Sequence, residues 1–265
     1  MVAKIFREIK MTNKIITQIG SLPYKDVRRA VKYSLKHDIP FLPELPLLGD
    51  AMMDYIKNPG QLSCLKEFQK YTFKIVKVQC VGPETLFSML SGDKEYKDWA
   101  KEKIIDKATE IILAHIGAIL DGLNAKETIL FFDEPALGQT GLDFEQLWLP
   151  FFSSFEVTPG VHCCGNMDWD KLFKSELIKI ISLDASQFDI TNYPYYRNGK
   201  RIAWGVKELS DVKDFQPGDL LTLPCGMGTK LYTVSDCQKE LKKLKAIAKK
   251  LKFSAVQFKP PYIQG

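Results

Sequence analysis

The stretch 128-TILFFDEP-135 has the composition of a strand that is covered on both faces and ends at a pair of carboxylates. Its first five residues are β-branched, aliphatic or aromatic, and such uninterrupted apolar runs are typical of parallel sheets. Asp133 and Glu134 follow where the run stops. Seven further short runs predict strands of the same kind. The eight candidate strands are 15-IITQIGSLP-23, 39-IPFLPEL-45, 74-KIVKVQCVG-82, 128-TILFFDEP-135, 159-PGVHCCG-165, 180-IISLDAS-186, 202-IAWGV-206 and 220-LLTLPCG-226.

Amphipathic stretches separate these runs and predict helices. The clearest of them lie at 25–36, 96–123, 169–177 and 235–250. Eight strands that alternate with helices predict one α/β domain over residues 1–265, folded as a closed (β/α)8 TIM barrel. An open doubly wound sheet is the alternative, and the lack of a G-x-G-x-x-G motif after the first candidate strand disfavours it.

The chain of 265 residues carries 37 basic and 32 acidic side chains, a net charge of 37 − 32 = +5. Much of the excess lies in 239-KELKKLKAIAKKLK-252, where apolar residues recur at helical spacing and leave the lysines on the opposite face. This pattern is typical of a solvated outer helix, so we expect neither a nucleic acid nor a membrane surface as a partner.

The N-terminal sequence lacks the apolar core of a signal peptide, and no apolar run reaches the length that spans a membrane. We therefore expect a cytoplasmic protein, in which thiols stay reduced. In that setting the six cysteines are packing residues, metal ligands or reactive thiols rather than disulfides.

Unusual polar side chains fall at the carboxyl ends of the candidate strands. They are Ser21, Glu44, Asp133, Glu134, His162, Cys164, Asp184 and Cys225. In a parallel barrel these ends meet at one mouth, which is where such folds bind their substrates. The sequence therefore predicts one site built from the tips of several strands.

The motif 161-VHCCGN-166 is the strongest indication of a metal. His162 and Cys164 share one side of a strand because alternate residues do, while Cys163 points to the other side as a small apolar wall residue. Cys225 offers a third soft ligand and Asp184 an oxygen, a donor set that suits zinc. The alternative is a buried strand end that contains small thiols.

Taken together, these motifs resemble the catalytic domain of the cobalamin-independent methionine synthase family, within the uroporphyrinogen decarboxylase-like superfamily, in a short single-barrel form. The matching pieces run in order through nearly the whole chain. They are 17-TQIGSLP-23, 39-IPFLPELP-46, 50-DAMMDY-55, 78-VQCVGPETL-86, 131-FFDEPAL-137, 161-VHCCGN-166, 180-IISLDAS-186, 203-AWGV-206 and 224-PCGMGT-229.

The resemblance implies a zinc ion held by His162, Cys164 and Cys225. At the acidic position, Asp184 stands where the methionine synthases have a glutamate, so either Asp184 binds the metal directly or it acts from outside the ligand set. The implied activity is a methyltransferase for methionine biosynthesis, in which zinc converts the acceptor thiol into a nucleophilic thiolate.

The resemblance also implies where the acceptor binds. Ser21 corresponds to the serine that binds the homocysteine carboxylate, and Glu44 and Asp133 to the carboxylates that bind its ammonium group. Glu134 belongs to the same D-E-P motif and is included in the expected substrate site. The alternatives are that Ser21, and Glu134 with its following proline, serve only to form turns. For Glu44 the alternative is a solvent-exposed position in a loop.

Two departures from the family pattern bear on the methyl donor. Met89 falls near the position of the tryptophan that contacts folate, and Glu84 places a charge inside the G-P-x-T motif. The chain also has no room for the second barrel that helps to bind polyglutamylated folate. We therefore expect a methyl-corrinoid as donor, delivered free or on a corrinoid protein, and homocysteine or another small thiol such as coenzyme M as acceptor.

Three alternatives stay open for the function. The first is a folate-dependent methionine synthase, and the second is a non-catalytic zinc- or corrinoid-binding accessory barrel. The third is a reaction of the decarboxylase branch, which binds a tetracarboxylate through arginines; the four candidate arginines here do not fall at strand tips. They are Arg28, Arg29, Arg197 and Arg201.

Overall fold

A computed structural model describes residues 15–51, 54, 58–228 and 231–257 of the chain. The N-terminal segment 1–14, Met52, Met53 and Tyr55 of the 50–55 motif, and Thr229 of the 224–229 motif lie outside the described residues.

The sheet has six parallel strands in the order β1-β2-β3-β4-β5-β6, curved as a half-barrel. The strands are β1 (Phe73–Val81), β2 (Ala125–Asp133), β3 (Thr158–Cys163), β4 (Ile180–Asp184), β5 (Arg201–Gly205) and β6 (Leu220–Thr222). Each strand pairs with the next one along the chain, so the carboxyl ends of all six lie at the same edge. Polar residues at the strand ends therefore lie along one edge of the sheet.

Seven α-helices accompany the sheet in the described part of the chain. They are α1 (Val27–Ser34), α2 (Leu65–Phe68), α3 (Pro83–Ser91), α4 (Lys101–Leu120), α5 (Phe144–Ser154), α6 (Trp169–Lys174) and α7 (Val234–Gln257), with 3-10 turns at Pro46–Leu48 and Leu209–Asp211. The predicted helices at 25–36, 96–123, 169–177 and 235–250 correspond to α1, α4, α6 and α7.

The two faces of the sheet carry different residues because side chains alternate along a strand. The outer face packs against the helices in the larger core. The inner face holds a small apolar cluster, formed by Ile19, Ile39, Ile75, Ile129, Phe131, Ile180, Ala203 and Leu220. Residues of this same parity nearer the carboxyl ends, such as Asp133 and His162, are polar, so one face changes from apolar to polar toward the site.

The prediction of a closed eight-stranded (β/α)8 TIM barrel is wrong, because the sheet in the described part of the chain has six strands and forms a half-barrel. The candidate strands at 15–23 and 39–45 form isolated bridges only, which join Ile16 to Leu221, Ser21 to Glu44 and Phe41 to Lys77. They lie beside β6 and β1 as irregular segments.

Local chemistry explains why these two segments form no regular ladder. Pro40 and Pro43 have no backbone N–H to donate to a neighbouring strand. In the first segment, the N–H groups of Ile15 and Ile16 donate to the Asp38 carboxylate, and that of Gly20 donates to a Gln79 side chain. Side chains thus take hydrogen bonds that a strand would place on a neighbouring backbone.

Helix α7 has the amphipathic arrangement that the sequence predicts. Its apolar residues Cys237, Leu241, Leu244 and Ile247 are buried, and its lysines between 239 and 250 are exposed to solvent. Among the helices that the structure describes, none combines the length and apolar character needed to cross a bilayer.

Acid should destabilise the protein through His37, which is buried just after α1. Its Nδ1 lies 3.1 Å from the Ser34 carbonyl oxygen and so donates to it. Burial lowers the pKa of His37 to about 4. The unfolded chain, whose histidine has a pKa near 6.5, therefore takes up the proton first, and stability is lost as the pH falls below about 6.5.

We expect the wild type to lose about 2 kcal/mol more free energy of unfolding than His37→Asn between about pH 7.5 and pH 5. Asparagine keeps a donor for the Ser34 carbonyl but does not titrate. Urea unfolding of both proteins at the two pH values measures this difference. Equal pH dependence in the two proteins would contradict the assignment.

Candidate metal centre and carboxylate pair

Three of the predicted ligands come together at the carboxyl edge of the sheet. His162 lies on the inner face near the carboxyl end of β3, and Cys164 follows that strand directly. Cys225 lies three residues after the end of β6. Their ligand atoms all lie within 4.8 Å of one another. We call these three residues the metal-ligand cluster, and it is the one such group of His, Cys, Asp and Glu in the described part of the chain.

The His162 ring is oriented by a neighbouring strand. Its Nδ1 lies 3.0 Å from the hydroxyl oxygen of Ser182, which pairs with His162 across β3 and β4. Its Nε2 is buried and has no hydrogen-bond partner within the described residues. A buried ring nitrogen without a partner costs free energy, and a metal bond at Nε2 would satisfy it.

A hydrogen bond joins the two cysteine side chains of the cluster. A hydrogen bond from Cys225, with the neighbouring His162 ring, lowers the pKa of Cys164 to about 4. The same pairing, with burial, raises the pKa of Cys225 above its usual range. Cys164 is therefore the sulfur of the pair that loses its proton more readily, and the thiolate is the form of cysteine that binds metals.

The donor set of the cluster fits zinc. Zinc bonds of about 2.3 Å to sulfur and 2.0–2.1 Å to nitrogen, in a tetrahedral arrangement, place ligand atoms roughly 3.5–3.8 Å apart. The observed spacing of up to 4.8 Å therefore requires side-chain movements of about 1 Å or less. Three protein ligands are also the number that catalytic zinc sites use.

Asp184 lies outside this cluster. Its Oδ1 accepts hydrogen bonds from the backbone N–H and the hydroxyl of Ser186, at 3.0 and 2.6 Å, and its Oδ2 accepts one from Gln187 at 2.5 Å. The carboxylate is thus committed to the loop that follows β4. The structure does not bring Asp184 into the ligand set as a fourth protein ligand.

Glu44 and Asp133 are buried beside one another and form what we call the carboxylate pair. Burial and the charge of Asp133 raise the pKa of Glu44 to about 8, and burial raises the pKa of Asp133. Each uses one oxygen to accept from Gln79 Nε2, at 3.2 Å for Glu44 Oε2 and 2.8 Å for Asp133 Oδ2. Glu44 Oε1 and Asp133 Oδ1 are buried without a partner among the described residues.

Ser21 lies against the loop that carries Cys225. The Met227 N–H donates to the Ser21 carbonyl oxygen at 2.8 Å. A Cβ atom on Gly226 would lie 1.9 Å from Ser21 Oγ, and one on Gly228 would lie 2.8 Å from Ser21 Cβ. The glycines that follow Cys225 thus permit the close approach that places Ser21 near the metal-ligand cluster.

Glu134 lies in a different environment from the carboxylate pair. Its Oε1 accepts from the Glu84 N–H and from Trp148 Nε1, and its Oε2 accepts from the N–H and the hydroxyl of Thr85. Both oxygens are therefore occupied at the N-terminus of α3, where a carboxylate complements the exposed N–H groups and the helix dipole. The structure brings Glu134 to this helix end and not into the carboxylate pair.

Glu84 is also fully used within the protein. Its carboxylate accepts from the N–H groups of Gly138 and Thr140 and from the Thr140 hydroxyl, and so it holds the loop after β2. Glu84, the residue that differs from the G-P-x-T motif of the family, therefore serves to hold this loop in place.

Sequence reasoning missed three residues of the site: Ser182, Gln79 and Lys77. A signal for them exists, since Lys77 and Gln79 alternate on one face of a strand whose other residues from Ile75 onward are apolar, and Ser182 precedes Asp184 by two residues in an apolar run. Polar residues of inner-face parity inside buried strands mark the site.

The chain matches no known protein-family model and no curated protein.

Gly228→Ala should destabilise the protein by about 1–2 kcal/mol, because its Cβ would lie 2.8 Å from Ser21 Cβ and 2.9 Å from Pro46 Cγ. Gly165→Ala is the matched control, since nothing lies within 4 Å of a Cβ there. Its stability should change by less than about 0.5 kcal/mol. Urea unfolding of both variants measures the difference, and equal stabilities would show that the contact with Ser21 is not restrictive.

Proposed function

We propose that this protein is a zinc-dependent methyltransferase that activates a small thiol, homocysteine first among them, for attack on a methyl group carried by a corrinoid. The observation that carries the proposal is the metal-ligand cluster itself, whose three ligand atoms lie within 4.8 Å of one another. The carboxylate pair beside it supplies two buried acceptors for an ammonium group. A metal store would need the first feature and not the second.

Each residue has a defined task in this reaction. Bound zinc would supply the positive charge that keeps the acceptor sulfur deprotonated at neutral pH. His162 is held in orientation by Ser182, and the two cysteines supply negative charge that preserves the nucleophilicity of the bound sulfur. Glu44 and Asp133 bind the ammonium group of the acceptor, and Ser21, next to the Cys225 loop, binds its carboxylate.

The overall step balances with a methyl-corrinoid as donor. The acceptor would lose its S–H proton to solvent and form the S–CH3 bond, and the methyl-corrinoid would release its methyl group with the electron pair of the cobalt–carbon bond left on cobalt. Cys225 is exposed, so the site opens to the surface and a bulky donor, free or on a corrinoid protein, is able to approach. A folate donor and a non-catalytic metal-binding role remain the competing functions.

The thiols also support a cytoplasmic location for this enzyme. All six cysteines are free in the described structure, and ligand cysteines bind zinc only while they stay reduced.

Metal content tests the cluster directly. The wild type, prepared anaerobically without a histidine tag, should bind about one zinc per chain, and Cys164→Ser and Cys225→Ser should lose it because a serine hydroxyl is a poor zinc ligand. Cys163→Ser is the matched control, since Cys163 lies between the ligands in sequence but donates to the Glu134 carbonyl oxygen. Elemental analysis after dialysis measures the ratio. A wild type that stays free of zinc after loading would refute the proposal.

Methyl transfer tests the activity. Zinc-loaded wild type should convert homocysteine to methionine with methylcobalamin as donor, and Asp133→Asn should lower kcat/KM at least about tenfold because a charged acceptor for the ammonium is lost. Formation of methionine with methyltetrahydrofolate alone would favour the folate enzyme instead. Zinc binding without transfer from either donor would favour the accessory role.

A further inference from the structure

Gln79 occupies the centre of the polar inner face at the end of β1. Its side-chain oxygen accepts a hydrogen bond from the Gly20 N–H at 2.7 Å and a second one from Lys77 Nζ. Lys77 is fully buried, two residues earlier on the same face. Because both of these partners are donors, they must face the amide oxygen, and this fixes the orientation of the Gln79 amide.

The amide nitrogen is consequently directed at the carboxylate pair. It donates to Asp133 Oδ2 at 2.8 Å and to Glu44 Oε2 at 3.2 Å. One amide group thus uses one oxygen of each carboxylate. The remaining oxygens, Glu44 Oε1 and Asp133 Oδ1, are buried with no partner in the described part of the chain.

The buried side chains of Glu44, Asp133 and Lys77 do not balance in charge when all three are ionised. Lys77 is the buried cation that acts on both carboxyl groups, so full ionisation of the pair would leave more negative than positive charge here, and burial accordingly raises the pKa of both carboxyl groups. An unpaired buried charge is costly, and a ligand that brings one positive charge and several N–H donors would remove that cost. A primary ammonium group has both properties.

We propose that Gln79, held in place by Lys77, is the positioning residue that makes this site select thiols carrying an α-ammonium group over thiols that lack one. The inference rests on the proposed function. The hydrogen bonds of Gln79 in the described part of the chain go to Gly20, Lys77 and the carboxylate pair; it acts by holding two carboxylates so that their free oxygens accept from one ammonium.

The test compares two thiols on zinc-loaded protein by isothermal titration calorimetry. The probes are L-homocysteine and 4-sulfanylbutanoate, which has the same chain and carboxylate without the ammonium group. The wild type should bind homocysteine at least about tenfold more tightly, because the analogue leaves the carboxylate oxygens unpaired. Gln79→Met should lose this preference while its affinity for the analogue and its zinc content stay unchanged.

Two further variants keep the test decisive. Gln69→Met is the matched control, since the Gln69 amide donates to the Asp121 carbonyl before β2, at the amino end of the sheet, and it should keep the wild-type preference. Gln79→Asn retains an amide that is one methylene too short to contact both carboxylates, so it should also lose the preference. It replaces Gln79→Met if the latter does not fold.

Each outcome bears on a different statement. Wild type that binds both thiols equally, or Gln79 variants that keep the preference for homocysteine, would overturn the role of Gln79 while leaving the zinc thiol site intact. Gln79 variants that lower the affinity for both thiols by the same factor would indicate a structural role only, and this result would also overturn the proposed role of Gln79 in selection. Wild type that takes up no zinc, or binds neither thiol with zinc present, would overturn the proposed function itself.

Discussion

The hydrogen bonds of the Gln79 amide connect the parts of the molecule on which the site depends. They join β1 to Asp133 at the end of β2 and to two irregular segments, through the Gly20 N–H and the Glu44 carboxylate. Neither segment is paired to the sheet by a regular ladder, so this buried group supplies part of what a ladder would supply elsewhere. Because this group is polar and buried, its hydrogen bonds must have good geometry, since a misplaced buried donor or charge is costly in free energy.

The metal-ligand cluster depends on a different constraint, the strict alternation of side chains along parallel strands. His162 and Ser182 meet because they pair across β3 and β4, and their parity directs both to the inner face. Cys163, of opposite parity, is buried in the outer core and donates to a backbone carbonyl. A shift of β3 by one residue would exchange the roles of the two adjacent cysteines.

Buried carboxylates serve two purposes in this fold, and their partners distinguish them. Glu84 and Glu134 receive hydrogen bonds on both oxygens from backbone N–H groups and side chains, which is the pattern of structural acceptors. Glu44 and Asp133 each keep one oxygen unpaired among the described residues. The difference matters because an unpaired buried acceptor has a free-energy cost that ligand binding recovers, whereas a saturated one has nothing further to accept.

The sequence by itself determined the parallel α/β class, six of the eight candidate strands, and the membership of His162, Cys164 and Cys225 in one site. Apolar runs, alternation and soft ligands at strand ends are local patterns, so they can be recognised without coordinates. Only the tertiary structure decided that the first two candidate strands are irregular, that Asp184 and Glu134 turn to local donors, and that Lys77 and Gln79 organise the carboxylate pair. Those outcomes depend on which hydrogen-bond donor pairs with which acceptor between segments that are distant in sequence. Residue type and spacing do not specify that choice of partners.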